Sequence, residues 1–231
     1  TGTLQPATAG GNLLLINSST ASNFANANNN MTVNSVIADN TTASTVTKDG
    51  AGVLRLTGTN TYSGGTFINA GTLAVKADAN LGAAGTGITF NGSGALSLGN
   101  HPAATTLLTI DLGTRPITIN NGAIAGLYHN WANGTTTISG AITGDGGIIW
   151  GRDPVLTFNG GDGYQRAFLL STANTFTGPL TVGVGNENIG VGSYFRFNSL
   201  GNSANPITLN RSAIPFEYNS GATANLTLDR P

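Results

Sequence analysis

Side chains able to do acid–base or sugar-binding chemistry are sparse in this chain of 231 residues, and they gather in two places. Residues 151–167 hold Arg152, Asp153, Asp162, Tyr164 and Arg166. Two carboxylates beside arginines on a long loop could serve a polysaccharide lyase or a glycosidase. Against that, Asp145, Asp153 and Asp162 sit among glycines, where an aspartate usually accepts a backbone N–H and shapes a turn. Spacing fixes no acid, base or nucleophile, so the expectation is a chain that is not an enzyme. The second place is Leu127-Tyr128-His129-Asn130-Trp131. Tyr128 and Trp131 could stack on sugar rings while His129 and Asn130 supply hydrogen bonds. The plainer reading, and the favoured one, makes Trp131 an anchor in the core or at a strand edge. Weak glycan contacts through these two clusters are the most that either supports.

Composition removes most other chemistries. There is no cysteine, hence no disulfide, thiol nucleophile or thiolate metal site, and the two histidines, His101 and His129, are far apart. Neither a metal nor a cofactor is expected, and the carboxylates are too few for calcium-binding nonapeptide repeats. Nine Lys and Arg against ten Asp and Glu leave a net charge of −1, which gives no field to attract a phosphate backbone, so nucleic acid is excluded as a partner. Charged residues are 8% of the chain, against about 25% in an ordinary soluble domain. Their place is taken by 34 Gly, 28 Asn and 33 Thr. Nothing approaches the run of about 18 apolar residues that a membrane helix needs. The chain starts at Thr1 and stops at Pro231 in an unchanged compositional style, which reads as a segment of a longer polypeptide.

The elements that would position these residues are short strands. Apolar residues alternate at period two in pairs such as Leu54/Leu56, Leu73/Val75, Leu96/Leu98, Ile117/Ile119, Leu180/Val182, Phe195/Phe197 and Phe216/Tyr218. Between the pairs lie Gly and Asn clusters, including Asn91-Gly92 and Asn121-Gly122, that accept positive φ and bend the chain. Only residues 76–84 have helix-forming composition, and Gly82 and Gly85 limit them to about two turns. The chain is therefore all-β.

Internal repetition selects the architecture. Asn60-Thr-Tyr62-Ser-Gly64 followed by Thr66-Phe-Ile68 has a counterpart in Asn174-Thr-Phe176-Thr-Gly178 followed by Leu180-Thr-Val182. Leu81-Gly82 and Ile88-Thr-Phe90-Asn91 recur as Leu200-Gly201 and Ile207-Thr-Leu209-Asn210, and residues 48–54 resemble 144–150. Order is kept while spacing drifts, as expected of a β-solenoid, in which each coil touches only its neighbours and absorbs insertions as loops. Low charge fits. In stacked coils like side chains lie about 4.8 Å apart, where Thr, Val, Ile and Asn pack or hydrogen-bond with their own kind and like charges repel. At roughly 20–25 residues per coil the chain would form a single elongated domain of about ten coils.

Residues 50–75 resemble the autotransporter-associated β-strand repeat, or passenger-associated transport repeat. The resemblance is carried by Gly58-x-Asn60-Thr-Tyr62-Ser-Gly64 and the closing Gly71-Thr-Leu73. A degenerate copy keeps Asn174 and Gly178, puts Phe176 for Tyr, and lacks the Gly-Thr-Leu close. The repeats are thus expected near 48–91 and 144–210. The resemblance implies a right-handed parallel β-helix from the passenger of a bacterial autotransporter-type protein, extracellular or on the cell surface. The repeat residues would be structural and non-catalytic, supporting passage and folding outside the cell. A translocation barrel would lie outside this segment, and the partners would be glycans or proteins of host or neighbouring cells. An enzyme on the same scaffold or a glycan-binding β-sandwich module are the rival readings.

Overall fold

A computed structural model describes residues 2–20, 30–99, 109–129, 134–151, 165–169, 171–183, 194–199, 207–209 and 216–218. Among the described residues nineteen short strands, numbered in chain order, form three sheets. Sheet A runs β1 (Asn12–Ile16), β3 (Thr45–Asp49), β5 (Thr66–Ile68), β7 (Ile88–Phe90), β10 (Ile117–Ile119), β13 (Ile142–Gly144). Sheet B runs β2 (Met31–Val33), β4 (Val53–Leu56), β6 (Gly71–Val75), β8 (Gly94–Leu98), β11 (Ile124–His129), β14 (Gly147–Gly151), β16 (Leu180–Val182), β18 (Ile207–Leu209). Sheet C runs β9 (Thr109–Asp111), β12 (Gly134–Ile138), β15 (Gln165–Leu169), β17 (Tyr194–Phe197), β19 (Phe216–Tyr218).

Within each sheet every strand pairing is parallel, and each strand pairs with one from the next pass of the chain rather than with its sequence neighbour. The result is the stacked parallel architecture of a β-solenoid. Its longest ladder holds eight strands among the described residues. Among the described residues no two strands pair antiparallel, as a sandwich requires; the one antiparallel contact is an isolated bridge, Asn40 with Thr42.

Register shows why the composition works. In sheet B the inward positions Met31, Leu54, Leu73, Leu96, Leu127, Trp150 and Val182 form one column. In sheet A, Val46, Thr66, Ile88, Ile117 and Ile142 form another. These columns belong to one continuous core drawn from all three sheets, in which Leu54, Leu73, Leu96, Leu127 and Ile117 are fully buried. Apolar residues two apart in sequence become apolar columns because parallel pairing keeps each residue over its counterpart.

The helical expectation over 76–84 is reduced to one 3-10 turn, Asp78–Leu81. Asn80 Oδ1 accepts the N–H groups of Lys76 and Ala77 (3.0 Å each), so a side chain caps the backbone donors that another helical turn would need. Gly82, at φ 82°, ends the turn. Two further pairs that alternate at period two in the sequence, Leu156/Phe158 and Leu226/Leu228, lie outside the described residues.

Candidate functional site

The residues of the repeat converge on a joint between successive passes. Asn60 is buried just after β4. The Ile37 N–H of the preceding pass donates to its Oδ1 (2.8 Å), and its Nδ2 donates to Asn80 O of the following pass (2.5 Å). Asn80 in turn donates through Nδ2 to Gly58 O (2.9 Å). One amide thus ties together backbone groups of three passes, using both its donor and its acceptor. Asn174 repeats this in the second copy: the Ile142 N–H donates to its Oδ1 (2.9 Å), and its Nδ2 donates to Ser199 O (2.9 Å) and Ser171 O (3.2 Å).

Tyr62 is fully buried and its hydroxyl shares a hydrogen bond with Thr66 Oγ1 (2.6 Å). Burial pushes its phenol up to about 12, against a smaller opposing pull from that hydrogen bond. Its ring lies on Gly82, where a Cβ would stand 2.8 Å from Cε2. Phe176, with 1% exposure, holds the equivalent place in the second copy without a hydroxyl. On the outer side, Asp39 Oδ1 accepts the N–H groups of Ser44 (2.7 Å) and Ser63 (2.8 Å), and Oδ2 accepts Ser63 Oγ (2.7 Å). Desolvation works to raise the Asp39 carboxyl, but the Ser44 N–H and the Ser63 hydroxyl and N–H together hold it below its ordinary value. Thr177 and Asp145 make the matching contact in the second copy (2.7 Å).

The repeat's glycines lie where passes come closest. A Cβ on Gly58 would stand 2.5 Å from Ser35 O, on Gly64 2.6 Å from Ser44 O, and on Gly178 2.1 Å from Gly146 O. Gly71 combines φ 66° with a Cβ position 2.3 Å from Gly50 O, so both conformation and space demand glycine there. Leu73, the last motif position, is in the sheet B core column.

Two buried cations escaped the sequence reading. Lys48 points inward from β3 and is fully buried; its Nζ donates to Asp49 O (2.7 Å), Gly50 O (2.5 Å) and Ala70 O (3.1 Å). Burial pushes its ammonium down to about 8, against a smaller upward pull from Asp49. Arg115 is likewise fully buried. Its Nε pairs with Asp78 Oδ1 (2.8 Å), and Nη1 donates to Thr86 Oγ1 (2.6 Å), Thr86 O (2.8 Å), Leu81 O (3.1 Å) and Ala83 O (3.2 Å). Both cations collect carbonyls at or beside the bends between sheets. The available signal was positional. Lys48 occupies an inward position of an otherwise alternating strand, and Arg115 directly precedes Pro116.

The two clusters raised for sugar or acid–base chemistry are not assembled into a cleft among the described residues. Tyr128 and His129 end β11 and are buried, at 8% and 2% exposure. The Tyr128 ring lies over Gly126, where a Cβ would meet it at 2.6 Å. His129 Nδ1 shares a hydrogen bond with the buried Thr136 Oγ1 (2.5 Å), joining sheets B and C. These rings offer no open stacking face. Trp131, Arg152, Asp153, Asp162 and Tyr164 lie outside the described residues, and Arg166 is placed only by its backbone, in β15 opposite Thr135. Among the described residues no three His, Asp or Glu side chains gather to hold a metal.

Parallel strands stacked pass upon pass, bound by an amide that recurs at the same place in two copies, define a parallel-stacked repeat protein. Residues 46–75 match the family model of the passenger-associated transport repeat. Over 113 residues, 49% of this chain, the sequence is 40% identical to the autotransporter adhesin BmaC of Brucella suis biovar 1 (strain 1330). The matched stretch spans 3% of the length of that relative. No solved structure matches the chain. The chain thus carries one recognisable passenger-type repeat and is similar over about half its length to an autotransporter adhesin.

Proposed function

We propose that this segment is a right-handed parallel β-helix acting as a non-catalytic stalk and adhesive surface, whose repeats support secretion and folding outside the cell. The observation that carries this reading is the doubled amide joint, Asn60 with Ile37 and Asn80, Asn174 with Ile142 and Ser199. Each joint closes only when the next pass arrives, so each added coil locks the one before it. A chain that crosses a membrane unfolded and without cysteine gains from such stepwise locking, because folding on the far side opposes return. The translocating barrel belongs to the parent protein outside this segment, and the partners are glycans or proteins of adjoining cell surfaces.

The test is surface display of the parent passenger with Asn60→Ala and Asn174→Ala together. The reading predicts that the passenger reaches the surface less completely and becomes sensitive to added trypsin across this segment. Display and protease resistance equal to the parent's would overturn it.

A further inference from the structure

The outward side of sheet A carries a pattern that the repeat contacts touch only at Asp145. Register aligns Thr47, Phe67, Thr89, Thr118 and Thr143 in one row. Two residues further along each strand, the same register continued by one position on the outward side brings Asp49, Asn69, Asn91, Asn120 and Asp145 into a second row. The second row is hydrogen-bonded from Asn120 to Asp49, while Asp145 accepts from Thr177 Oγ1 instead. Asn120 Nδ2 donates to Asn91 Oδ1 (2.9 Å), Asn91 Nδ2 to Asn69 Oδ1 (3.1 Å), and Asn69 Nδ2 to Asp49 Oδ2 (3.3 Å). In the first row Thr118 and Thr143 share a hydroxyl contact (3.4 Å). Asn91, Asn120 and Asp145 are exposed, and Phe67, Asn69, Thr89, Thr118 and Thr143 are half-buried.

We propose that this face binds a neutral, extended, β-linked polysaccharide lying across the strands. Each carboxamide has two N–H donors and two acceptor lone pairs. The ladder takes one donor from each Asn, and one lone pair from Asn69 and Asn91, leaving a donor and an acceptor per rung for solvent or ligand. A pair of neighbouring sugar hydroxyls presents the same alternation. Rungs repeat about every 4.8 Å in the direction along which the polymer would lie, and the two rows lie about 6.7 Å apart across it. Phe67 interrupts the threonine row with the single aromatic ring of the face, suited to stacking on the apolar face of a sugar. Neither row contains Lys or Arg, since Lys48 turns inward, so an anionic polymer finds no countercharge. The carboxylates of Asp49 and Asp145, one on either side of the three Asn rungs, accept hydroxyls and disfavour an anion further; beyond Asp49 the row continues to the exposed Ile16.

This deepens the adhesive part of the function proposed above and rests on it, but binding and surface display are measured separately, so either can fail alone. The experiment titrates the purified 231-residue chain with cellohexaose, following side-chain amide resonances by NMR. The expected result is saturable shifts at Asn69, Asn91 and Asn120. Binding should weaken about tenfold in Phe67→Ala, a stacking contact converted to affinity, and should also weaken in Asn91→Ala. The exposed Thr61→Ala, outside both rows, should bind as the parent does. Absence of amide shifts overturns the proposal. So does equal affinity in Phe67→Ala and Asn91→Ala, or tighter binding of polygalacturonate than of cellohexaose. Shifts that appear with protein concentration alone would make the occupant a second copy of the chain and overturn it too.

Discussion

Replacing Asn60 with alanine isolates the joint on which the stacked architecture depends. The change removes a buried amide and leaves two backbone groups in the interior without their partner, the Ile37 N–H and the Asn80 carbonyl. Each orphaned group costs about 1–3 kcal/mol. Relaxation and the smaller entropy of alanine recover part of that, which places the expected loss at about 3 kcal/mol. That is about a hundredfold in the local folding equilibrium. Because a stacked-repeat protein opens in sections, the effect belongs to the passes around residues 37–80 rather than to the whole chain. Native-state hydrogen exchange reads it directly. The Ile37 amide should lose about two powers of ten in protection, while amides of β14 and β16 stay unchanged. Thr61→Ala, whose side chain is exposed, should stay within about 0.5 kcal/mol of the parent. A Ile37 amide protected as well in Asn60→Ala as in the parent would show that the amide joint carries no weight.

Leu73→Asp, which places a carboxylate in the sheet B core column, should destabilise by several kcal/mol, and an unchanged thermal melt would contradict the register. Tyr62→Phe should cost only about 1 kcal/mol, since it loses one hydrogen bond to Thr66 and matches what Phe176 already does in the second copy. Urea midpoints as a function of pH test Lys48. Its folded value of about 8 lies below its unfolded value of 10.5, so from pH 8 upward the unfolded chain holds the extra proton and stability rises with pH. Above pH 10 the contribution of Tyr62, raised to about 12, acts in the opposite sense. The rise between pH 8 and 10 should vanish in Lys48→Met, and a midpoint flat across that window in the parent would refute the assignment.

Much of the fold was legible because it rests on side-chain period. Leu54/Leu56 and Leu73/Val75 alternate in sequence and stack as columns in space, since parallel pairing repeats whatever each strand presents. The motif spacing of Asn60, Tyr62 and Gly64 pointed to the repeat, but not to what Asn60 does, because its partners, Ile37 and Asn80, sit in other passes at distances set by loop lengths. Lys48 and Arg115 were illegible for the same reason: their acceptors are backbone carbonyls, which every residue carries. In sequence Tyr128 and Trp131 suggest a stacking platform with His129 as a hydrogen-bonding neighbour, because an aromatic cluster has no direction in sequence. The end of β11 buries His129 and folds Tyr128 over Gly126. The Asn ladder on sheet A was equally hidden, since Asn91 reads as a turn residue beside Gly92 and Asn69 and Asn120 carry no signal until register aligns them.

The absence of native cysteine allows the parallel stacking itself to be tested by cross-linking. Thr89 and Thr118 are register partners in neighbouring strands of sheet A, whereas Thr89 and Thr143 are separated by the intervening strand β10. A disulfide needs Cα atoms within about 7 Å, close to one strand spacing and well short of two. Under mild oxidation Thr89→Cys/Thr118→Cys should close an intramolecular disulfide, detected by mass spectrometry, and Thr89→Cys/Thr143→Cys should remain reduced. The reverse pattern, or no closure in the first pair, would contradict the parallel stack.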